Sequence, residues 1–235
     1  MTLLRDDDLA AAFDRAASSY DRMTAASPGY HGHLRRSARR LRLPGEGSGL
    51  SVLDLGCGTG SSTRALLHAA PRATLTGVDA SAGMLEEARA KTWPPSVSFV
   101  HAPAEAVGST GAAGPYDAVF AAYLFRNVTD PDAVLRTVRD LLRPGARLAV
   151  HEYTLSGRAV HRAVWNAVTS GLVLPWGRLH GDVALYRHLR RSVLDFDTAP
   201  QFADRLRCAG FVDVQVLPLP GWQTGITHTF LATRD

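Results

Sequence analysis

The run Val52-Leu53-Asp54-Leu55 ends in Gly56-Cys57-Gly58-Thr59-Gly60, so an apolar strand gives way abruptly to three alternate glycines. That pattern restricts the fold more than any other segment. A buried strand that stops in a turn tolerant of positive φ leaves room for a ligand against bare backbone, at the carboxyl end of a parallel sheet. Ser61, Ser62 and Thr63 follow at once, residue types that cap the amino end of a helix. A dinucleotide fingerprint would place glycines at the first, third and sixth positions, and a P-loop would add a Lys. Here they fall at the first, third and fifth, with no Lys in the turn. A second run, Thr74-Leu75-Thr76-Gly77-Val78, ends nineteen residues beyond Gly60 in Asp79. An acid at that place accepts both ribose hydroxyls of a bound nucleoside.

Strand-like runs at about 51–55, 74–79, 97–102, 116–121 and 146–153 alternate with helix-like segments at about 61–70, 82–91 and 131–142. The alternation predicts an α/β fold, a doubly wound sheet with helices on both faces. Beyond the fifth strand, residues 159–172 place Ala159, Val160, Ala163, Val164, Ala167, Val168, Gly171 and Leu172 in pairs four apart, which predicts one apolar helix face. Further helices are expected near 182–194 and 199–209. Phe211–Leu219 and Trp222–Thr233 then read as a carboxyl-terminal antiparallel strand pair, completing seven strands. The expected organisation is one domain over 1–235, with amino-terminal cap helices in 1–43. A helical insertion at 154–198 would serve as a lid, because the chain leaves the fifth strand at the ligand-binding edge.

The formal charge of +4 comes from arginine, since Lys91 is the only lysine. Arg35, Arg36, Arg39, Arg40 and Arg42 form the one dense basic run, yet Leu34, Ala38 and Leu41 at helical spacing predict an amphipathic helix with a solvated arginine face. No nucleic-acid partner is therefore expected; contact with anionic lipid headgroups is a weaker alternative. The chain opens on acidic Asp6-Asp7-Asp8 without a signal pattern, and no apolar stretch approaches the roughly 20 residues that span a bilayer. A cytoplasmic protein without stable membrane insertion is expected. Cys57 and Cys208 are too few for a disulfide framework, and Cys57 reads as a space-filling residue inside the glycine turn.

Asp54 to Gly60, together with Val78-Asp79-Ala80-Ser81 and Met84, resemble the first two motifs of class I S-adenosylmethionine-dependent methyltransferases. The resemblance implies a Rossmann-like sheet and S-adenosyl-L-methionine as cofactor. It assigns Asp54, Gly56, Gly58, Gly60, Asp79, Ala80 and Met84 to cofactor binding: the glycine turn to the methionine half, Asp79 to the ribose, Met84 to the adenine. Longer segments narrow it. Phe13-Asp14-Arg15-Ala16-Ala17-Ser18-Ser19-Tyr20-Asp21-Arg22-Met23, then Phe125-Arg126-Asn127-Val128-Thr129-Asp130, then Gly181-Asp182 with Tyr186, then Ala209-Gly210-Phe211 resemble the menaquinone/ubiquinone biosynthesis C-methyltransferase family over about residues 10–232. That likeness implies that Tyr20 binds the cofactor's carboxylate and that Arg126 orients a water near the reacting ring. Tyr123, Asn127, Tyr153 and Tyr186 are the expected acceptor-binding residues. Two segments depart from the pattern. Ser27-Pro28-Gly29-Tyr30-His31-Gly32-His33 replaces a Trp-containing stretch, and Pro103 stands where relatives carry an acid or amide that meets adenine. The adenine contact is then expected from Ala104 and Glu105.

A ring carbon attacks the methyl group well only when an adjacent hydroxyl is ionised. Arg126, always charged, suits the stabilisation of that oxyanion in a dry pocket. The competing reading pairs Arg126 with Asp130, or sets it at the start of the helix near Pro131. His151, Glu152 and Tyr153 end the fifth strand and are either bases or hydrogen-bonded wall residues. His31 and His33 lack a third ligand, and methyl transfer needs no metal. Three functions stay open: a C-methyltransferase for a small apolar, hydroxylated or prenylated and membrane-derived acceptor; an O- or N-methyltransferase; and a cofactor-binding protein with other chemistry. A homodimer is an open assembly alternative.

Overall fold

The computed structural model describes residues 6–25, 27, 29–173 and 183–235. Helices α1 (Asp6–Ala25) and α2 (Tyr30–Arg40) precede β1 (Ser51–Leu55), α3 (Ser61–Ala69), β2 (Thr74–Asp79), α4 (Ala82–Arg89), β3 (Val97–His101), β4 (Tyr116–Ala122), α5 (Pro131–Leu141) and β5 (Leu142–Tyr153). Then come α6 (Ala159–Val168), α7 (Val183–Asp195), α8 (Ala199–Cys208), β6 (Phe211–Pro218) and β7 (Thr227–Arg234). The seven strands form one sheet in the order β3-β2-β1-β4-β5-β7-β6. β1 to β5 are parallel, and β7 runs antiparallel between β5 and β6. The order reverses between β1 and β4, which opens a crevice at their carboxyl ends.

Both faces of the sheet are covered because its central strands are apolar on both sides, as a parallel sheet requires. Leu53, Leu55, Val119, Ala121, Leu148 and Val150 turn toward α5 and α8, where Val134, Leu135, Val138, Phe202 and Leu206 meet them. Their alternates Val52, Ala118, Phe120 and Ala149 turn the other way, onto Leu34 and Ala38 of α2 and Ala65 and Leu66 of α3. Each such large side chain, withdrawn from water, contributes about 1.5–3 kcal/mol. α5 begins where Asp130 Oδ1 accepts from Ala133 N at 2.9 Å with Pro131 in the first turn, and Thr198 with Gln201 forms a capping box on α8.

Four expectations change. Ser62 and Thr63 do not cap α3: its cap is Gly60, and both hydroxyls donate instead to Asp54 Oδ2, at 2.7 and 2.6 Å. The second strand of the terminal pair starts at Thr227, because Gly221–Gln223 is a 3-10 turn. On α6, Val160, Ala163 and Ala167 are exposed, whereas Trp165 is buried and packs with Leu155, Val193 and Ile226. One aromatic outweighs a stripe of alanines in deciding which face packs. The arginine face of α2 is also incompletely solvated: Arg40 donates to Leu217 O, Pro218 O and Thr229 Oγ1 at 3.0, 2.9 and 2.7 Å, joining α2 to the terminal strands. The Gly181-Asp182 landmark and part of the expected lid lie outside the described residues.

Candidate active site

The two halves of the crevice are built by different means. On the β1–β2 side, Gly56 N and Cys57 N donate to Val78 O at 2.8 and 3.0 Å, which ties the glycine turn to the next strand. The Asp79 carboxylate then accepts from Gly58 N at 2.8 Å on one oxygen and Ser81 N at 2.9 Å on the other. Each oxygen keeps a lone pair for a ligand. Burial pushes the Asp79 carboxyl up, and the Ser81 and Gly58 amides hold it down. Gly58 has φ +53°, and a Cβ there would meet nothing within 4 Å: it would project into open space where a ligand needs to lie against backbone. Gly60 differs, since a Cβ there would come within 2.7 Å of Trp93. Its glycine serves packing, and Gly60 is not a wall of the cavity.

The cavity measures about 400 Å³, within the range of small-molecule sites. Gly56, Gly58, Asp79, Ala80, Met84, Ala104 and Glu105 line it together with Tyr123, Arg126 and Asn127, and Tyr20 stands between the two groups, within electrostatic reach of both Asp79 and Arg126. Asp54 does not line it: fully buried, it anchors α3 through Ser62 and Thr63, and its carboxyl is pushed up to about 7 by burial against those hydroxyls. Tyr186 is buried on α7 and is not among the walls, and Tyr153 stands behind them, stacked on Tyr123 at 4.7 Å with Arg126 over its ring at 5.6 Å.

α1 closes over the cofactor end. Asp14 Oδ1 accepts from Ser81 Oγ at 2.5 Å and Gly83 N at 2.9 Å, which lowers its pKa. Asp21 accepts from Thr59 Oγ1 at 2.6 Å and pairs with Lys91 at 2.5 Å, while Lys91 also donates to Thr59 O at 2.6 Å. Leu9, Ala10 and Phe13 of the same helix join the walls, as does Tyr30 of α2. The sequence reading placed Tyr30 only in a divergent segment; the aromatic cluster it completes becomes visible when α2 packs on β4. The expected lid contributes none of the cavity's walls among the described residues.

On the β4–β5 side, Arg126 is not paired with Asp130, which caps α5. Its Nη1 donates to Glu152 Oε1 at 2.6 Å and to Tyr123 O at 2.8 Å. The guanidinium is 8% exposed and Glu152 is 0% exposed. Burial pushes Glu152 up; Arg126, the Tyr153 amide at 2.9 Å and the Arg126 amide at 3.4 Å oppose it. For Arg126, desolvation pulls down and Glu152 more than offsets it, so the net direction is upward and the guanidinium stays charged. Its Nε has no partner among the described residues. An unpaired buried donor costs about 1–3 kcal/mol, so donor capacity is held in reserve beside the cavity. Tyr20 and Tyr30 are both half-buried and both driven up by desolvation, hence neutral phenols. His151 stands behind the cavity wall: it is fully buried, bonds Ser37 Oγ and Tyr123 Oη at 2.9 Å each, and is driven down to about 3 by burial.

Comparison with known proteins identifies the family and the fold. A Desulfotalea psychrophila protein described as ubiquinone/menaquinone biosynthesis C-methyltransferase is 33% identical over 205 residues, 86% of this chain and 81% of its own. One from Thermosynechococcus vestitus, described as 2-phytyl-1,4-naphtoquinone methyltransferase, is 31% identical over 94% of this chain and 97% of its own. Among solved structures, the plantazolicin methyltransferase BpumL in complex with S-adenosylhomocysteine superposes with TM-score 0.67 at 14% identity, covering 97% of this chain and 96% of that one. Human N-acetylserotonin methyltransferase in complex with S-adenosylmethionine gives TM-score 0.58 at 15% identity, over 86% of this chain and 51% of that one. The open cradle at Gly58 and the paired amides on Asp79 fit that cofactor. Residues 1–232 match the ubiE/COQ5 methyltransferase family, and the chain belongs to it as an S-adenosyl-L-methionine-dependent methyltransferase.

Proposed function

We propose that the protein methylates a ring carbon of a small, apolar, hydroxylated aromatic acceptor, a quinol of the prenylated naphthoquinone type. The observation that carries this reading is the Arg126–Glu152 pair, buried at the cavity wall among the phenols of Tyr20, Tyr30 and Tyr123, with Arg126 Nε unpartnered. Relatives named for demethylmenaquinone and phytyl-naphtoquinone support the same acceptor class. No helix among the described residues is long and apolar enough to cross a membrane.

Bound S-adenosyl-L-methionine supplies an electrophilic methyl group on a positively charged sulfur. The protein supplies position. Gly58, Asp79, Ala80, Met84 and Ala104 hold the cofactor, and α1, clasped by Asp14 and Asp21, keeps water from that end. Arg126 favours the acceptor bound as its oxyanion, the hydroxyl proton having passed to water, and the ionised oxygen raises electron density on the adjacent ring carbon. Glu152 holds the guanidinium in place and offsets part of its charge. The ring proton leaves to a water at the acceptor end, since Arg126 cannot be deprotonated and His151 has no free lone pair toward the cavity. Products of a panel of quinols, phenols and prenylated acceptors, made with methyl-labelled cofactor and read by mass spectrometry, test the reading. Label on a ring carbon is expected; label on oxygen or nitrogen would replace it with the alternative methyl transfer.

A further inference from the structure

Five polar side chains from four separated elements form one buried hydrogen-bonded line behind the acceptor end. Arg40 Nη1 donates to Thr229 Oγ1 at 2.7 Å, Thr229 Oγ1 meets Ser37 Oγ at 2.7 Å, Ser37 Oγ meets His151 Nδ1 at 2.9 Å, and His151 Nε2 meets Tyr123 Oη at 2.9 Å. Ser37, His151 and Thr229 are each 0% exposed. Such a line has two proton arrangements, running in opposite directions, and donor accounting chooses between them.

Arg40 can only donate, so Thr229 Oγ1 accepts from it. Among the described residues, the other partner of Thr229 Oγ1 is Ser37. Were Ser37 to donate to Thr229, the Thr229 hydroxyl hydrogen would be buried with no acceptor, at a cost that a complete network avoids. Thr229 therefore donates to Ser37, and Ser37 donates to His151 Nδ1. The imidazole then carries its hydrogen on Nε2 and gives it to Tyr123 Oη. That oxygen accepts from His151, so the Tyr123 hydrogen is directed away from the histidine. Tyr153, stacked against Tyr123, takes it when no ligand is present.

We infer that Tyr123 is a hydrogen-bond donor to an oxygen of the acceptor, its hydroxyl oriented by His151, with the line from Arg40 fixing the direction. Tyr123 lines the cavity and Arg126 lies over its ring at 5.5 Å, so the acceptor's oxygen is met by a phenol as well as a guanidinium. Burial keeps the phenol neutral: the Tyr123 pKa stands well above its ordinary value, with burial the largest cause. His151 is a positioning residue, silent as a base. This inference rests on the proposed acceptor class for its ligand, but its proton arrangement does not.

Two measurements test it. In 15N-histidine-labelled protein, with the His151 signals assigned by their loss in His151→Gln, a neutral imidazole with hydrogen on Nε2 is expected. Hydrogen on Nδ1 would overturn the inference whatever the acceptor. With a short-chain 2-prenyl-1,4-naphthohydroquinone, Tyr123→Phe keeps the ring stack and should lower kcat/KM by about tenfold to a hundredfold, with S-adenosylhomocysteine affinity unchanged. His151→Gln, which retains an acceptor toward Ser37 and a donor toward Tyr123, should keep more activity than His151→Leu at equal folded fraction. Undiminished turnover in Tyr123→Phe would sink the assignment. If the wild-type protein methylates no quinol, the proposed acceptor fails, and the tautomer still decides whether the line runs toward the cavity.

Discussion

The cofactor end and the proposed acceptor end of one cavity are held by different kinds of contact. At the cofactor end, backbone amides of Gly58 and Ser81 bind a single carboxylate within a short stretch of chain. At the acceptor end, side chains far apart in sequence meet: Arg126 with Glu152, and Ser37 with His151. Backbone contacts tolerate changes in neighbouring side chains, whereas a side-chain network depends on every member. One end should thus fail at single backbone positions, and the other should fail and be rescued in pairs.

The largest effect is expected at the cofactor end. Gly58→Val fills the open cradle and strains a residue at φ +53°, and Asp79→Ala removes the acceptor of two amides. Either should abolish S-adenosylhomocysteine binding in calorimetry, with Asp79→Asn milder because it keeps one acceptor for the Gly58 and Ser81 amides, though it loses the charge and the second acceptor. Normal affinity in both would remove the cofactor assignment.

Arg126 tests the other end. Arg126→Ala leaves Glu152 buried and unpaired, and should cost about 3–5 kcal/mol in denaturant unfolding. The double variant Arg126→Gln with Glu152→Gln should recover most of that stability while kcat stays roughly two orders of magnitude low. Recovery of both would make the pair purely structural.

A smaller effect is expected at the α1 clasp, where Lys91 and Asp21 are partly exposed. Lys91→Met should weaken cofactor binding by about fivefold, the equivalent of about 1 kcal/mol, and flatten its salt dependence. Unaltered affinity and salt response would show that α1 closes without this pair.

The smallest effect is a slope of stability with pH. Asp54 titrates at about 7 in the fold, so above its ordinary value the folded state holds a proton that the unfolded chain releases, and stability falls as pH rises through that window. His151 and His228, the latter buried on β7 against Thr154 Oγ1 at 3.0 Å, stand at about 3 and about 4 and act oppositely: the unfolded chain takes protons that the fold refuses, and stability falls with acid from about 6.5 downward. The two tendencies oppose each other between about 4 and 6.5. Asp54→Asn removes one, so its Tm should drop more steeply on acidification than the wild type's, by about 2–4 °C per pH unit. Parallel curves would show that Asp54 is ionised in the fold.

By itself the sequence determined what is local. Alternating apolar runs specify a parallel sheet, because burial on both faces leaves no other place for Val52-Leu53 or Phe120. Glycine spacing and Asp79 specify a nucleoside-binding half-site, because backbone conformation and one acid a strand away make it, and the family resemblance those residues carry names the cofactor. The position of Arg126 followed from the strand before it. Its partner did not: neighbouring Asp130 was the nearer candidate by sequence, and only the pairing of β4 with β5 brings Glu152 beneath the guanidinium. The same holds for Asp54 and Gly60, whose motif places them with ligand-binding residues while packing turns them to anchoring α3 and accommodating Trp93. Ser37, His151, Thr229 and Tyr123 carry no periodicity that links them. Their line exists because α2 packs across strands β5 and β7, which stand in register at His151 and Thr229, and a buried polar group must find its partner wherever the fold sets one.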